Sequence, residues 1–241
     1  MLTVQHIFSQ HPGGMFRSVE GERGIVLLTG GNGSGKSTVL KTIYGLLKPW
    51  KVARTSLSAD PSCGAQTGRP SVCFASSAPP LKEGRIVFNG EDITALPPEA
   101  MIRRGIVYMP QKKNVFDDFT VEENLLTSAS LYPKPEARRR VDRVFDELPR
   151  LAQLRKRTPF NLSGGEKQML AFGAALCHTG RMFLLDEPFA GADDTVSAQI
   201  TGLIKSQRSR SSFFIVEHKR HFLEGVVTHE IKLELGRVVT I

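Results

Sequence analysis

Apolar residues fall along this chain in short runs and spaced stripes that alternate for most of its length. Ile25-Val26-Leu27-Leu28, following Gly24, is an unbroken apolar run, the pattern of a strand buried on both faces. The stretch from Ser37 to Leu47 reads as a helix, and Leu2 to Ile7 alternates weakly enough to predict an opening strand. Arg85 to Phe88 predicts another strand, Asn89-Gly90 a turn, Pro97 to Arg104 a short helix and Ile106 to Met109 a strand. Between about 120 and 178 the pattern is mostly helical. Within Arg139 to Leu148, residues Val141, Val144, Phe145 and Leu148 fall at i, i+3, i+4 and i+7, one apolar face of a helix. A second helix is predicted from near Ser163-Gly164-Gly165 through Ala171 to Cys177. A strand at 182–185, a helix at 195–207, a strand at 213–216 and a hairpin around Gly236 follow. Strands alternating with helices predict an α/β fold with a mostly parallel core sheet, into which a helical subdomain at about 112–178 is inserted.

Candidate chemistry sits first at Gly30-Gly31-Asn32-Gly33-Ser34-Gly35-Lys36-Ser37-Thr38, between a predicted strand and a predicted helix. Strand, glycine loop closing on Lys-Ser, and helix is the arrangement of a P-loop. The glycines let backbone N–H groups curl around an anion, and the helix N-terminus adds its partial positive charge. Lys36 is placed to reach β- and γ-phosphates, and the Ser37 hydroxyl to ligate Mg²⁺. A glycine loop alone would fit an ordinary turn. Lysine, hydroxyl and flanking elements together point to a bound nucleoside triphosphate.

Further segments follow in order. Tyr108-Met109-Pro110-Gln111 ends a strand on a glutamine, and Leu162-Ser163-Gly164-Gly165-Glu166-Lys167-Gln168 opens a helix. Met182-Phe183-Leu184-Leu185-Asp186-Glu187 is an apolar run ending in two carboxylates, Ala190-Gly191-Ala192-Asp193 lies just beyond, and Ile215-Val216-Glu217-His218 ends a strand on a histidine. Alone, Asp186-Glu187 would fit a helix cap or surface turn, and His218 a satisfied strand-end histidine. Together these segments resemble, in order and separation, the Q-loop, signature, Walker B, D-loop and switch histidine of ATP-binding cassette (ABC) ATPases, from about Gly24 to Arg237.

The resemblance implies a P-loop NTPase fold over residues 1–241 as one domain, with an antiparallel β-subdomain beside the core sheet and the helical subdomain. It implies ATP and Mg²⁺ as cofactors. Ser37 and Gln111 would hold the metal, and Asp186 would act on it through water, because Mg²⁺ keeps part of its hydration shell. Glu187 would be the general base, with Lys36 neutralising charge and His218 bonding the γ-phosphate. Ser163, Gly164 and Gly165 would form a second anion site at a helix start, facing the γ-phosphate of another subunit. Two cassettes would then trap two ATP molecules head to tail, with Asp193 near the shared axis.

The chain departs from that family in two places. The interval between its first strand and the P-loop strand is shorter than usual, in the region where an aromatic normally stacks on adenine, a contact of ~1–3 kcal/mol. His11 best matches the register, with Phe8 and Phe16 as nearby aromatics that could equally be packing residues. Residues 48–83 are extra, rich in Ser, Pro, Ala and Gly with little periodicity, and predict a mobile surface loop, either a partner-binding element or sequence without function. Its two cysteines, Cys63 and Cys73, are too few for a zinc site by themselves.

Composition changes little. An apolar content of 40% and a charged content of 23% are those of an ordinary globular protein. The net charge of +8 is scattered, and the runs Arg138-Arg139-Arg140 and Arg208-Ser209-Arg210 read as solvated helix faces rather than a nucleic-acid surface. Cys63, Cys73 and Cys177 read as free thiols. No apolar run approaches the ~20 residues that cross a bilayer, and the opening residues lack a signal-peptide pattern. The expected location is therefore cytoplasmic, peripheral on the inner membrane through a partner. The segment Asn114 to Leu125 resembles the one that docks a membrane subunit in transporter ATPases, with Phe116 and Phe119 as exposed anchors or else as core residues. The wording from Gly164 to Leu170 is similar to branched-chain amino acid importers, and Pro188-Phe189-Ala190-Gly191 to lipopolysaccharide export. The resemblance thus implies a transporter ATPase whose partners are a second cassette and integral permease subunits, with no nucleic acid. An ABC ATPase not coupled to transport, or a cassette impaired in turnover, are the alternatives.

Overall fold

The computed structural model describes residues 2–5, 24–47, 85–94, 96–112, 114–234 and 237–239. The expected loop at 48–83, with Cys63 and Cys73, lies outside the described residues, as do Phe8, His11 and Phe16.

The apolar run predicted from Gly24 becomes β2 (Ile25–Gly30), the middle of a six-stranded sheet. Its neighbours are β7 (Ser212–Val216) on one side and β8 (His229–Glu234) on the other, both parallel to it. Beyond β7 lie β6 (Met182–Asp186) and then β5 (Ile106–Met109), also parallel, while β9 (Arg237–Val239) closes the far edge antiparallel to β8. The pairing of β8 with β9 is the hairpin expected around Gly236, a residue itself outside the described set. Alternate residues of β2 face opposite layers: Ile25 and Leu27 enter one apolar cluster, Val26 and Leu28 the other. The strands read as continuous apolar runs because both faces are covered.

The second sheet is antiparallel, with β3 (Arg85–Phe88) between β1 (Leu2–Gln5) and β4 (Glu91–Asp92). The β3–β4 turn carries Asn89 at φ 50° and Gly90 at φ 83°, the two left-handed residues that a tight hairpin of matching twist needs. With α1 (Lys36–Ile43) and α2 (Pro98–Arg103) it covers one face of the core sheet.

On the other face lie α3 (Val121–Ser128), α4 (Lys134–Glu147), α5 (Pro149–Gln153), α6 (Gly164–Leu176) and α7 (Asp194–Gln207). The stripe predicted on α4 is buried as expected, with Val141, Val144, Phe145 and the following Leu148 all in this cluster. Helices α3 and α6 each start on a capping box, Thr120 with Glu123 and Ser163 with Glu166.

Two expectations are corrected. Helix α1 ends at Ile43 rather than Leu47, because Gly45 turns left-handed (φ 78°) and its N–H and that of Leu46 bond back to the Thr42 and Lys41 carbonyls. A Cβ at Gly45 would lie 2.3 Å from the Leu96 carbonyl oxygen, so the turn requires glycine. Arg140 is also not part of a solvated face. Its guanidinium lies 3.7 Å from the Tyr132 ring centre and donates to the Cys177 carbonyl and Thr179 Oγ1, while Arg138, Arg139, Arg208 and Arg210 are exposed. Cys177 itself is a free, buried thiol, pushed up to about 12 by burial and so held protonated. Among the described residues no helix is long and apolar enough to cross a membrane.

Candidate nucleotide site

Four neighbouring parallel strands, β5, β6, β7 and β2, deliver their carboxyl ends to one edge of the sheet, where α/β folds bind ligands. From β2 the chain passes through residues 30–35 into α1. Gly31, Asn32, Gly33 and Thr38 form an exposed rim, and Gly35 caps α1 without any side-chain hydrogen bond. The first amides of α1 are therefore left for an outside acceptor. Lys36, almost fully buried, folds its ammonium back onto the Gly30 and Gly31 carbonyls at 2.9 Å each. Ser34 Oγ is buried without a hydrogen-bond partner. An uncapped helix start, a coiled lysine and an orphaned hydroxyl are a donor set suited to phosphate oxygens.

Beside this loop, Ser37 Oγ donates to Asp186 Oδ1 at 2.9 Å. The other Asp186 oxygen accepts from the Tyr108 hydroxyl at 3.3 Å. Burial pushes the Asp186 carboxyl above its usual range, opposed by the bonds from Ser37 and Tyr108. Burial and the Asp186 charge push the Tyr108 phenol up as well. Among the described residues no three or more His, Cys, Asp or Glu cluster tightly enough to hold a metal alone. Hard oxygen donors in small number suit Mg²⁺, which completes its shell with water and substrate phosphates.

Glu187, one residue past β6, has φ 53°, in the left-handed region that non-glycine residues rarely occupy. It also precedes Pro188, which ordinarily steers its neighbour to extended backbone. The strain is held by hydrogen bonds on both peptide groups: the Glu187 N–H donates to the Val216 carbonyl at 2.8 Å, and its carbonyl accepts from Gln168 Nε2 at 3.0 Å. So turned, the carboxylate accepts from Gln111 Nε2 at 2.6 Å and lies 3.6 Å from His218 Nε2. The structure thus brings together Lys36, Ser37, Asp186, Glu187, Gln111 and His218, with the Gln111 amide on Glu187.

Ser163, Gly164 and Gly165 open α6 as expected. Ser163 Oγ accepts from the Glu166 N–H at 3.2 Å, and the Glu166 carboxylate accepts from the Ser163 N–H and pairs with Arg150. The Ser163 N–H, ahead of Arg150, holds that carboxyl below its usual range. This helix start reaches the cluster only one turn further on, through Gln168. Asp193 caps α7 with its side chain on the Val196 N–H. Sequence reading missed Tyr108, Gln168 and Glu217. Only Glu217 left a signal, a charge at the end of a buried strand.

Fold and site together define a P-loop nucleoside-triphosphate-binding protein. A family model described as ABC transporter matches residues 19–62 and 72–190. The probable branched-chain amino acid transport ATP-binding protein LivF of Archaeoglobus fulgidus is 37% identical over 69% of this chain and 57% of its own length. BraG of Pseudomonas aeruginosa, a high-affinity branched-chain amino acid transport ATP-binding protein, is 32% identical over 92% of this chain and 82% of its own. The lipopolysaccharide export ATP-binding protein LptB of Acidithiobacillus ferridurans is 30% identical over 90% and 77%. Among solved structures, a nucleotide-free ATP-binding cassette from an ABC transporter superposes with TM-score 0.73 at 23% identity, over 99% of this chain and 89% of that one. The chain belongs to the ABC transporter family, as one of its ATP-binding cassettes, which are ATPases.

Proposed function

We propose that this chain is the ATP-hydrolysing subunit of an ABC transporter, working in a pair of cassettes at the cytoplasmic face of the inner membrane beneath permease subunits. The observation that carries the reading is the convergence of Gln111 and His218 on the Glu187 carboxylate, next to the Ser37–Asp186 pair. Lys36 would leave the Gly30 and Gly31 carbonyls for the β- and γ-phosphates, joined by the amides of residues 31–38 and the Ser34 hydroxyl. Ser37 and Asp186 would hold Mg²⁺, with Gln111 drawn to it from Glu187, and the metal would neutralise charge on the phosphates. Glu187 would take the proton of the attacking water, and His218 would bond the γ-phosphate and keep the attack in line. Ser163, Gly164 and Gly165 would serve the partner's nucleotide.

Coupling to a membrane subunit is supported at the side of the helical layer. Phe116 and Phe119 pack against each other as a tilted pair with ring centres 5.4 Å apart and are 56% and 41% exposed, not core residues. Phe116 borders a groove of about 360 Å³ lined also by Tyr108, Asn114, Leu131, Ala171 and His178. A helical segment of a permease is the occupant proposed. The cargo proposed is of the branched-chain amino acid type, from the names of the relatives at 37% and 32% identity.

The test is an affinity pull-down of the tagged chain from detergent-solubilised membranes, with copurifying proteins identified. A stoichiometric polytopic membrane protein is expected. Recovery of soluble proteins alone would replace transport with a soluble ATPase role.

A further inference from the structure

The site described above leaves one buried carboxylate unused. Glu217, directly before His218, is 4% exposed. A carboxylate at that depth needs full hydrogen-bond compensation, and three backbone donors supply it. Oε1 accepts from the N–H groups of His218 at 2.7 Å and Lys219 at 2.9 Å. Oε2 accepts from the N–H of Phe189 at 3.1 Å. Two of these donors belong to the turn that carries His218, and the third lies two residues beyond Glu187 on a different strand end. Lys219 adds a second tie to the same segment, with Nζ on the Ala192 carbonyl at 2.9 Å.

The tied segment continues to the start of α6. Gly164 packs so closely on it that a Cβ there would lie 3.0 Å from the Gly191 carbonyl oxygen. A Cβ at Gly165 would meet Val196 at 3.3 Å and Ala192 at 3.6 Å. An unbroken path of hydrogen bonds and backbone packing therefore runs from the His218 turn, through Glu217 and residues 189–192, to Ser163-Gly164-Gly165.

We infer that Glu217 is a positioning residue that couples the two nucleotide sites of the paired cassettes. The inference rests on the dimer proposed above, in which His218 reads this chain's own γ-phosphate and the α6 start serves the partner's. Displacement of the His218 turn by a γ-phosphate is carried by the Glu217 clasp into residues 189–192 and from there to the α6 start. Because one carboxylate holds both loops, the two cannot move independently. Coupling between sites is typically 5–150-fold in affinity, enough to make hydrolysis by a dimer visibly cooperative.

The test measures ATP hydrolysis against ATP concentration, together with binding of a fluorescent ATP analogue and ATP-dependent dimerisation. It uses the full chain and two variants, Glu217→Gln and Glu217→Asp, the second a methylene too short to hold both loops at once. Glutamine keeps the shape but turns an NH₂ toward N–H donors, releasing one arm of the clasp. The parent is expected to show a Hill coefficient approaching 2, both variants a value near 1, and Glu217→Gln a kcat lower by about tenfold at an analogue affinity within about twofold of the parent. A role confined to structure would lower the melting temperature without separating cooperativity from affinity. If either folded variant keeps the parent's Hill coefficient, the coupling role is overturned. Should Glu217→Gln fail to fold, Glu217→Asp decides alone, since it keeps the charge and shortens only the reach between the two loops. A parent that is monomeric and non-cooperative overturns the dimer itself; a cooperative parent with parent-like variants overturns only the coupling.

Discussion

The strand ends around Glu187 and the helical layer formed by α3 to α6 treat their polar groups in opposite ways. In the layer, most polar groups close on one another, although Glu147 Oε2 has no hydrogen-bond partner. Asn124, 4% exposed, donates to the carbonyls of Phe116, Phe119 and Thr120 and accepts from the Phe116 N–H, pinning the loop that leads into α3. The last carbonyls of α6 are met by Arg143 at Leu176 and Arg140 at Cys177, cations where the helix dipole favours them. At the strand ends, Lys36 rests on carbonyls, Ser34 Oγ has no partner, and Glu187 is held in left-handed backbone. One region fixes shape; the other keeps its donors in bonds that an incoming phosphate can exchange.

That contrast breaks most sharply at Glu187. Glu187→Gln is expected to lower ATP turnover by ~10²–10⁴-fold while leaving nucleotide binding intact and prolonging the ATP-bound dimer. Phosphate release and size-exclusion chromatography with ATP check this, and turnover at the parent rate would remove Glu187 as the base. Acid acts on the other region. Burial, with the Arg140 charge second, lowers His178 from 6.5 to about 4, so the folded protein prefers the neutral ring. The unfolded chain takes up the proton below pH ~6.5 while the folded chain does not, so this contribution is whole above that pH and is lost as pH falls toward 4. Urea unfolding should lose about 2 kcal/mol between pH 7.5 and pH 5, a slope that His178→Asn flattens; an equal slope in the variant would place its origin elsewhere. Asn124→Ala should cost about 2 kcal/mol in the same assay, with turnover per folded molecule unchanged, because it strands a buried N–H and three carbonyls. The smallest effect is expected at Tyr108. Tyr108→Phe, which frees one oxygen of Asp186, should raise the Mg²⁺ concentration needed for half-maximal nucleotide binding by about threefold, with binding in the absence of Mg²⁺ unaltered. An unchanged Mg²⁺ titration would leave Tyr108 as packing.

What could be read from sequence follows from distance along the chain. The P-loop declared itself because anion binding there depends on consecutive residues, and the α4 stripe because helical periodicity is local. The end of α1 did not, since Leu46 and Leu47 favour helix and only the Gly45 turn against Leu96 stops it. Arg140 looked solvated within a basic run, and its place over Tyr132 is set by the packing of α4 on residues 129–132 before it. Gln168 was invisible as a site residue, and Glu217 showed only as a charge ending a buried strand, because their partners, Glu187 and Phe189, are brought to them by sheet order.

Sheet order also sets a schedule for synthesis. The strand leading into the P-loop pairs only with strands from the far end of the chain, Ile25 with Phe213 and Val26 with His229. At ~5–20 residues per second on a ribosome, roughly ten to forty seconds separate the appearance of β2 from that of its first partner. Throughout that interval an apolar strand with both edges unpaired is on offer to any other nascent chain or chaperone. The nucleotide loop is made long before the strands that complete the sheet beneath it.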